Sequence, residues 1–208
     1  MDGSRPRFKE TQREIVRAAY IIIRAEGIQR MSMRAIAQIV HMSPANLYEY
    51  FDNRNAIILA VSVGIIAALE THLREVEVNL SPQEYLVALC LTYLDFAQHE
   101  PVLTMMLFET AQEFRRIQLP LSTKVAEDQL LRVKSRGIFT IFLVGVERYL
   151  RHGLTTRPPN LTTEAVVNAL LAMLCGFVAA GPYEEGTFSR NTMHTAILTF
   201  LNGLTIAS

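Results

Sequence analysis

The chain holds only two cysteines, Cys90 and Cys175, and they form no CxxC pair. It also has no HExxH segment and no glycine-rich phosphate loop. These absences remove the usual signatures of zinc sites, metalloproteases and nucleotide binding. The histidines His41, His72, His99, His152 and His194 are scattered, and no carboxylates are paired by spacing. Catalysis is therefore not expected, and neither is a metal or cofactor. Both cysteines lie in apolar helical patterns, as reduced packing residues do. Charge is sparse at 19% with a net of zero, while half the residues are hydrophobic, which excludes extensive disorder. Long apolar runs are also missing. Ala56–Leu69 and Ala165–Gly181 fall short of the roughly 20 residues needed to cross a bilayer. The polar start, MDGSRPRFKE, lacks the apolar centre of a secretory leader. No membrane association is expected, and the cytoplasm is the expected compartment.

What is present is concentrated near the start. Residues 1–54 hold nine Lys/Arg against six Asp/Glu, a balance of +3, and the remainder holds eleven against fourteen, a balance of −3. The basic excess accompanies SMRAIAQIVHMSPANLYEYFDNR, Ser32 to Arg54. In it Met33, Ile36, Ala37 and Val40 share one helical face, and HMSP then breaks the helix and caps another. Ser43 suits the cap and Pro44 the first helical position. The second helix, Pro44–Phe51, is too short to be stable alone. Its Leu47 and Phe51 face inward, leaving Asn46, Tyr48, Glu49 and Tyr50 nearer the rim, as a helix that reads a DNA groove requires.

A polar arm is expected over residues 1–8, either disordered or touching DNA backbone. A first helix follows from about Lys9 to Glu26, buried through Ile15, Ala18, Ala19, Ile22 and Ile23, with Gly27 as a left-handed cap. A fourth helix from Asp52 or Asn53 to about Glu77 gives a stiff connection. SPQE at Ser81–Glu84 reads as a capping box opening a fifth helix to His99. Further helices are expected over 102–118, 123–152, 162–180 and 189–204; Ile138–Val146 alone has strand character, and its flanks favour helix. The reading is all-α with about nine helices, divided into a DNA-binding domain over 1–54 and a larger domain over 55–208.

In the eighth helix Ala165, Ala169, Ala172 and Gly176 make a face of small side chains, and Met193, Ile197, Phe200 and Leu204 make a stripe on the ninth. Small residues allow close helix approach, so two copies could pair through a four-helix arrangement. Tyr93, Met105, Met106 and Phe108, with Phe139, Phe142 and Phe177, could line a cavity for an apolar or amphipathic molecule, or simply fill a core. Asp95, Glu109 and Glu113 could meet a cationic group there or be solvated.

Over residues 9–58 the chain resembles the tetracycline-repressor (TetR) family of bacterial transcriptional regulators. The resemblance rests on the first helix ending at Gly27, SMRAIAQIV, the turn ending at Ser43, LYEYF at Leu47–Phe51, and Arg54. It implies a homodimer on a pseudo-palindromic double-stranded operator, usually a repressor, released by a small-molecule effector held in the larger domain. It further implies base contacts from Pro44, Ala45 and Asn46, approach by Tyr48 and Tyr50, and backbone contacts from Ser32, Arg34 and Arg54, with Ser43 in the turn. His41 stands where this family usually has glycine, at a position that often needs a left-handed backbone. A helical small-molecule carrier with no DNA role is the competing reading.

Overall fold

A computed structural model describes residues 4–100, 137–152, 161–179 and 189–206. These fall in two compact units, one up to Ile66 and the other from Ala67 onward. Among the described residues there are α-helices and one 3-10 turn, and no strand. The division lies inside a helix, beyond the boundary at 54/55 where that helix begins.

In the first unit, helix α1 spans Ser4–Glu26. It takes in most of the expected polar arm, because Phe8, Thr11 and Ile15 continue the helical register backwards. Ile15, Ala18, Ala19, Ile22 and Ile23 are its buried face. The helix ends at Gly27, whose N–H donates to the Ile23 carbonyl at 2.9 Å. Gly27 has φ 85° and ψ 163°. That is an extended mirror-image conformation open essentially only to glycine, rather than the left-handed helical cap expected. A 3-10 turn, Ile28–Arg30, leads to helix α2, Met33–Ile39, which buries Ile36 and Ala37. Helix α3 is Pro44–Leu47 and buries Leu47. It is shorter than the expected Pro44–Phe51. From Tyr48 to Tyr50 the amides reach back three residues, to Ala45, Asn46 and Leu47, so the coil tightens instead of continuing as α-helix. α1 packs on the 3-10 turn and α2, and α2 on α3.

Helix α4, Arg54–Arg74, runs through the division between the units. By length and composition it could cross a membrane, contrary to the estimate from its apolar run alone. Ile57, Leu59 and Val61 are instead buried before the division, and Leu69 and Leu73 after it. Half of its apolar window is buried, as in a core helix.

The second unit contains helix α5, Pro82–His99; a helix over residues 137–152, α6; α7, Thr163–Ala179; and α8, Arg190–Ile206. The capping box is complete. The Glu84 amide donates to Ser81 Oγ at 3.3 Å, and the Ser81 amide donates to Glu84 Oε2 at 3.1 Å. α5 packs on both α7 and α8, with Leu86, Cys90, Phe142, Leu170 and Leu201 among the buried side chains. α6 and α5 come close at Gly145, where a Cβ would sit 3.0 Å from Leu89 Cδ1. Arg148 donates to the carbonyls of Val78 at 2.8 Å and Leu80 at 2.6 Å, fastening the α4–α5 loop to α6. The expected helix over 102–118 and the start of the one from Thr123 lie outside the described residues.

Candidate nucleic-acid interface

The site is built from the two caps outward. Ser32 caps α2, accepting from the Ala35 amide at 3.1 Å. Ser43 caps α3, accepting from the Asn46 amide at 3.2 Å while its hydroxyl donates to Asn46 Oδ1 at 2.9 Å. That second bond fixes the Asn46 side chain and leaves its amide nitrogen without a partner among the described residues. Between the helices, His41 has φ 53°, and the Met42 amide reaches the Ala37 carbonyl at 2.9 Å. This six-to-one bond is a Schellman closure, in which the left-handed residue is usually glycine. The turn therefore keeps the shape a glycine would give it, with histidine in the glycine's place.

Orientation follows from a single anchor. Leu47 is completely buried, which turns Pro44, Ala45 and Asn46 outward and leaves Tyr48 54% exposed. Arg34 is exposed and has no partner among the described residues. Sequence reasoning places these residues together, and the structure brings them onto consecutive elements, α2 and α3.

Two expected contact residues have other engagements. The Tyr50 ring stacks on Phe8, centroids 4.7 Å apart, and its carbonyl accepts from Gln12 Nε2 at 3.2 Å. Arg54 donates through Nε to the Met31 carbonyl at 2.7 Å and through Nη2 to the Ile28 carbonyl. Phe8 and Gln12 escaped sequence reasoning because Phe8 falls in the expected arm and Gln12 in the expected first helix, outside the face read as buried. Their spacing of four, in register with Ile15, is the signal that could have found them.

Of the expected cavity residues, Met105, Met106 and Phe108, with Glu109 and Glu113, lie outside the described residues. Tyr93 and Phe142 are buried and meet edge to face at 6.3 Å, while Phe139 and Phe177 are half-buried. The Tyr93 hydroxyl lies 3.5 Å from Cys175 Sγ. Burial, then the neighbouring Cys175, pushes the Tyr93 phenol up, and burial does the same to the Cys90 thiol. Asp95 pairs with Arg190 at 3.1 Å. Among the described residues no group of three or more His, Cys, Asp or Glu could hold a metal ion.

The small-residue face of α7 is open, since Ala165, Ala169, Ala172 and Gly176 are all exposed. The expected stripe on α8 requires a correction. Met193 and Ile197 are 1% and 0% exposed, and Phe200 and Leu204 are half-buried. Their three-to-four spacing records the face that α8 turns inward, toward the α5 side, so Met193 and Ile197 are unavailable to a partner. Thr192, Thr195 and Thr199 are among its exposed residues.

Residues 15–61 match the family described as bacterial regulatory proteins, tetR family. No curated protein sequence matches the chain. Among solved structures, a bacterial regulatory protein in the tetR family from Rhodococcus RHA1 is 15% identical, over 93% of this chain and 96% of that one, with a TM-score of 0.69. Salmonella enterica GusR is 20% identical, over 95% and 96%, with a TM-score of 0.67. The ketosteroid transcriptional regulator KstR2 of Mycobacterium tuberculosis is 15% identical, over 98% and 96%, with a TM-score of 0.62. Those identities speak for the fold alone, and the match over residues 15–61 speaks for the helix-turn-helix within it. Residues 15–61 are thus a helix-turn-helix segment that matches the tetR family of bacterial regulatory proteins, within a chain that shares the fold of the solved structures above.

Proposed function

We propose that the chain is a homodimeric repressor that binds a pseudo-palindromic operator in the cytoplasm and leaves it when a small apolar or amphipathic molecule binds the second unit. The observation that carries the DNA reading is the outward set Pro44, Ala45, Asn46 and Tyr48 on a helix anchored by one buried leucine. Asn46 can pair with an adenine edge and the Ala45 methyl with a thymine methyl. Ser32, Arg34 and Tyr48 then contact phosphates, which set affinity and register more than sequence. Ser43 orients Asn46. With two donor positions committed to carbonyls, Arg54 serves the interface by holding it in shape, and Tyr50 does so through its stack on Phe8.

For the effector, Tyr93, Phe139, Phe142 and Phe177 supply an apolar, adaptable surface. One structural neighbour is a ketosteroid transcriptional regulator, and a small apolar effector is in keeping with that. For the dimer, the exposed Ala165, Ala169, Ala172 and Gly176 face supports close helix pairing. We assign no reaction to the protein.

A gel shift against the DNA upstream of its own gene tests the reading. Binding is expected at low salt, falling steeply as salt rises. Arg34→Ala should reduce the salt slope by about one. An Asn46→Ala, Tyr48→Ala double variant should lose the shifted band. Absence of any band at low salt would refute the DNA role.

A further inference from the structure

The first unit has a groove between α1 and α4 that the DNA contacts do not use. Its volume is about 720 Å³, within the range of small-molecule sites. Lys9, Arg13 and Arg17 line one edge. They lie four residues apart, so their charges follow one face of α1 over two turns, about 12 Å. All three are exposed, none has an ion-pair or hydrogen-bond partner among the described residues, and no described lining residue is acidic. The floor is apolar, formed by Val16 and Phe51 with Ala60, Val63 and Gly64 of α4. Gly64 is exposed, and a Cβ built on it meets nothing within 4 Å. The groove therefore has unfilled room directly above its floor.

From this pairing of a cationic edge with an apolar floor we infer that the α1–α4 groove binds a long-chain carboxylate, the headgroup on the Lys9, Arg13 and Arg17 edge and the chain over Val16, Val63 and Gly64. A neutral chain would leave the cations without partners, and a small anion would leave the floor uncovered. This site is separate from any effector cavity in the second unit, and its test does not depend on one.

Dodecanoate, dodecanol and dodecylammonium, which differ in headgroup on the same chain, are titrated into the full-length protein. Methyl resonances of Val16 and Val63 are followed by NMR. Dodecanoate should shift them saturably, and dodecylammonium should not. An Arg13→Gln, Arg17→Gln variant should weaken dodecanoate about tenfold, the sum of two exposed charge contacts. Gly64→Leu should abolish the shifts by filling the groove, and the space above Gly64 allows it to fold. Unmoved methyls with dodecanoate, equal shifts with dodecylammonium, or dodecanoate binding unchanged by Gly64→Leu would each overturn the proposal. So would shifts produced by duplex DNA but not by dodecanoate, which would make the groove a backbone contact.

Discussion

His41 and Gly27 both place the backbone at positive φ, at 53° and 85°, yet substitutions at the two are expected to move stability in opposite directions. His41 sits in the left-handed region at a cost of about 1–2 kcal/mol for a residue with a Cβ. Glycine takes that region freely but loses more chain entropy on folding. His41→Gly should therefore stabilise the first unit by a few tenths to about 1 kcal/mol, read as a higher urea midpoint with unchanged slope. Gly27 has open space around its missing Cβ, so only its backbone opposes a side chain. Gly27→Ala should cost about 1–3 kcal/mol. If it were neutral, the mirror-extended conformation described here would be wrong. Sequence spacing located both residues. It could not distinguish a left-handed from a mirror-extended ψ, since glycine suits either.

Among the elements, α5 was the most legible, because its start is written in side chains. Ser81, Pro82 and Glu84 satisfy specific amides, and the structure shows both halves of the box. The Ser81 hydroxyl, and then its amide, hold the Glu84 carboxyl below its usual range. A lowered folded value means the stabilisation is fully present above the unfolded value and is lost as pH falls through the folded one. Ser81→Ala should then lower the thermal midpoint more at pH 7 than in acid, where only the bond from the Glu84 amide to Ser81 Oγ is left to lose. An equal loss at both would show that the carboxylate plays no part. Other elements were less legible. The start of α1 was masked by basic and proline residues that resemble a tail, although Phe8 already keeps the helical register. α3 was read too long because Leu47 and Phe51 stand four apart, a spacing that an α-turn followed by tighter turns also provides. The stripe on α8 shows the limit most clearly. Periodicity reports that a face is covered, and says nothing of whether the same chain or another covers it.

For the molecule as a whole, the all-α class, the helix-turn-helix and the limits of α4, α5, α7 and α8 were largely readable. What depends on a second molecule was not. Proposed pairing through α7 rests on an exposed face whose residues are individually unremarkable, so the test has to be made on the assembly. Ala169→Glu would place an unpaired charge in that contact, at a cost of about 3 kcal/mol or more. The dimer constant from sedimentation equilibrium should weaken by roughly a hundredfold or more. The chain should keep its helicity, since Ala169 is exposed. An undiminished dimer would place the contact elsewhere.

Arg54 has a kinetic consequence. One guanidinium, on the first residue of α4, donates to two carbonyls of the segment between α1 and α2. The Met31 amide donates to one of those same carbonyls, that of Ile28. Detaching this segment and fraying the start of α4 are thus a single opening event. In hydrogen exchange the Met31 amide should share its opening free energy with the amides that donate to the first-turn carbonyls of α4, those of Ile58 and Leu59. Arg54→Lys, which cannot span both carbonyls in the same way, should let Met31 exchange ahead of them. If the two sets already exchange independently in the unaltered chain, the arginine is not the latch.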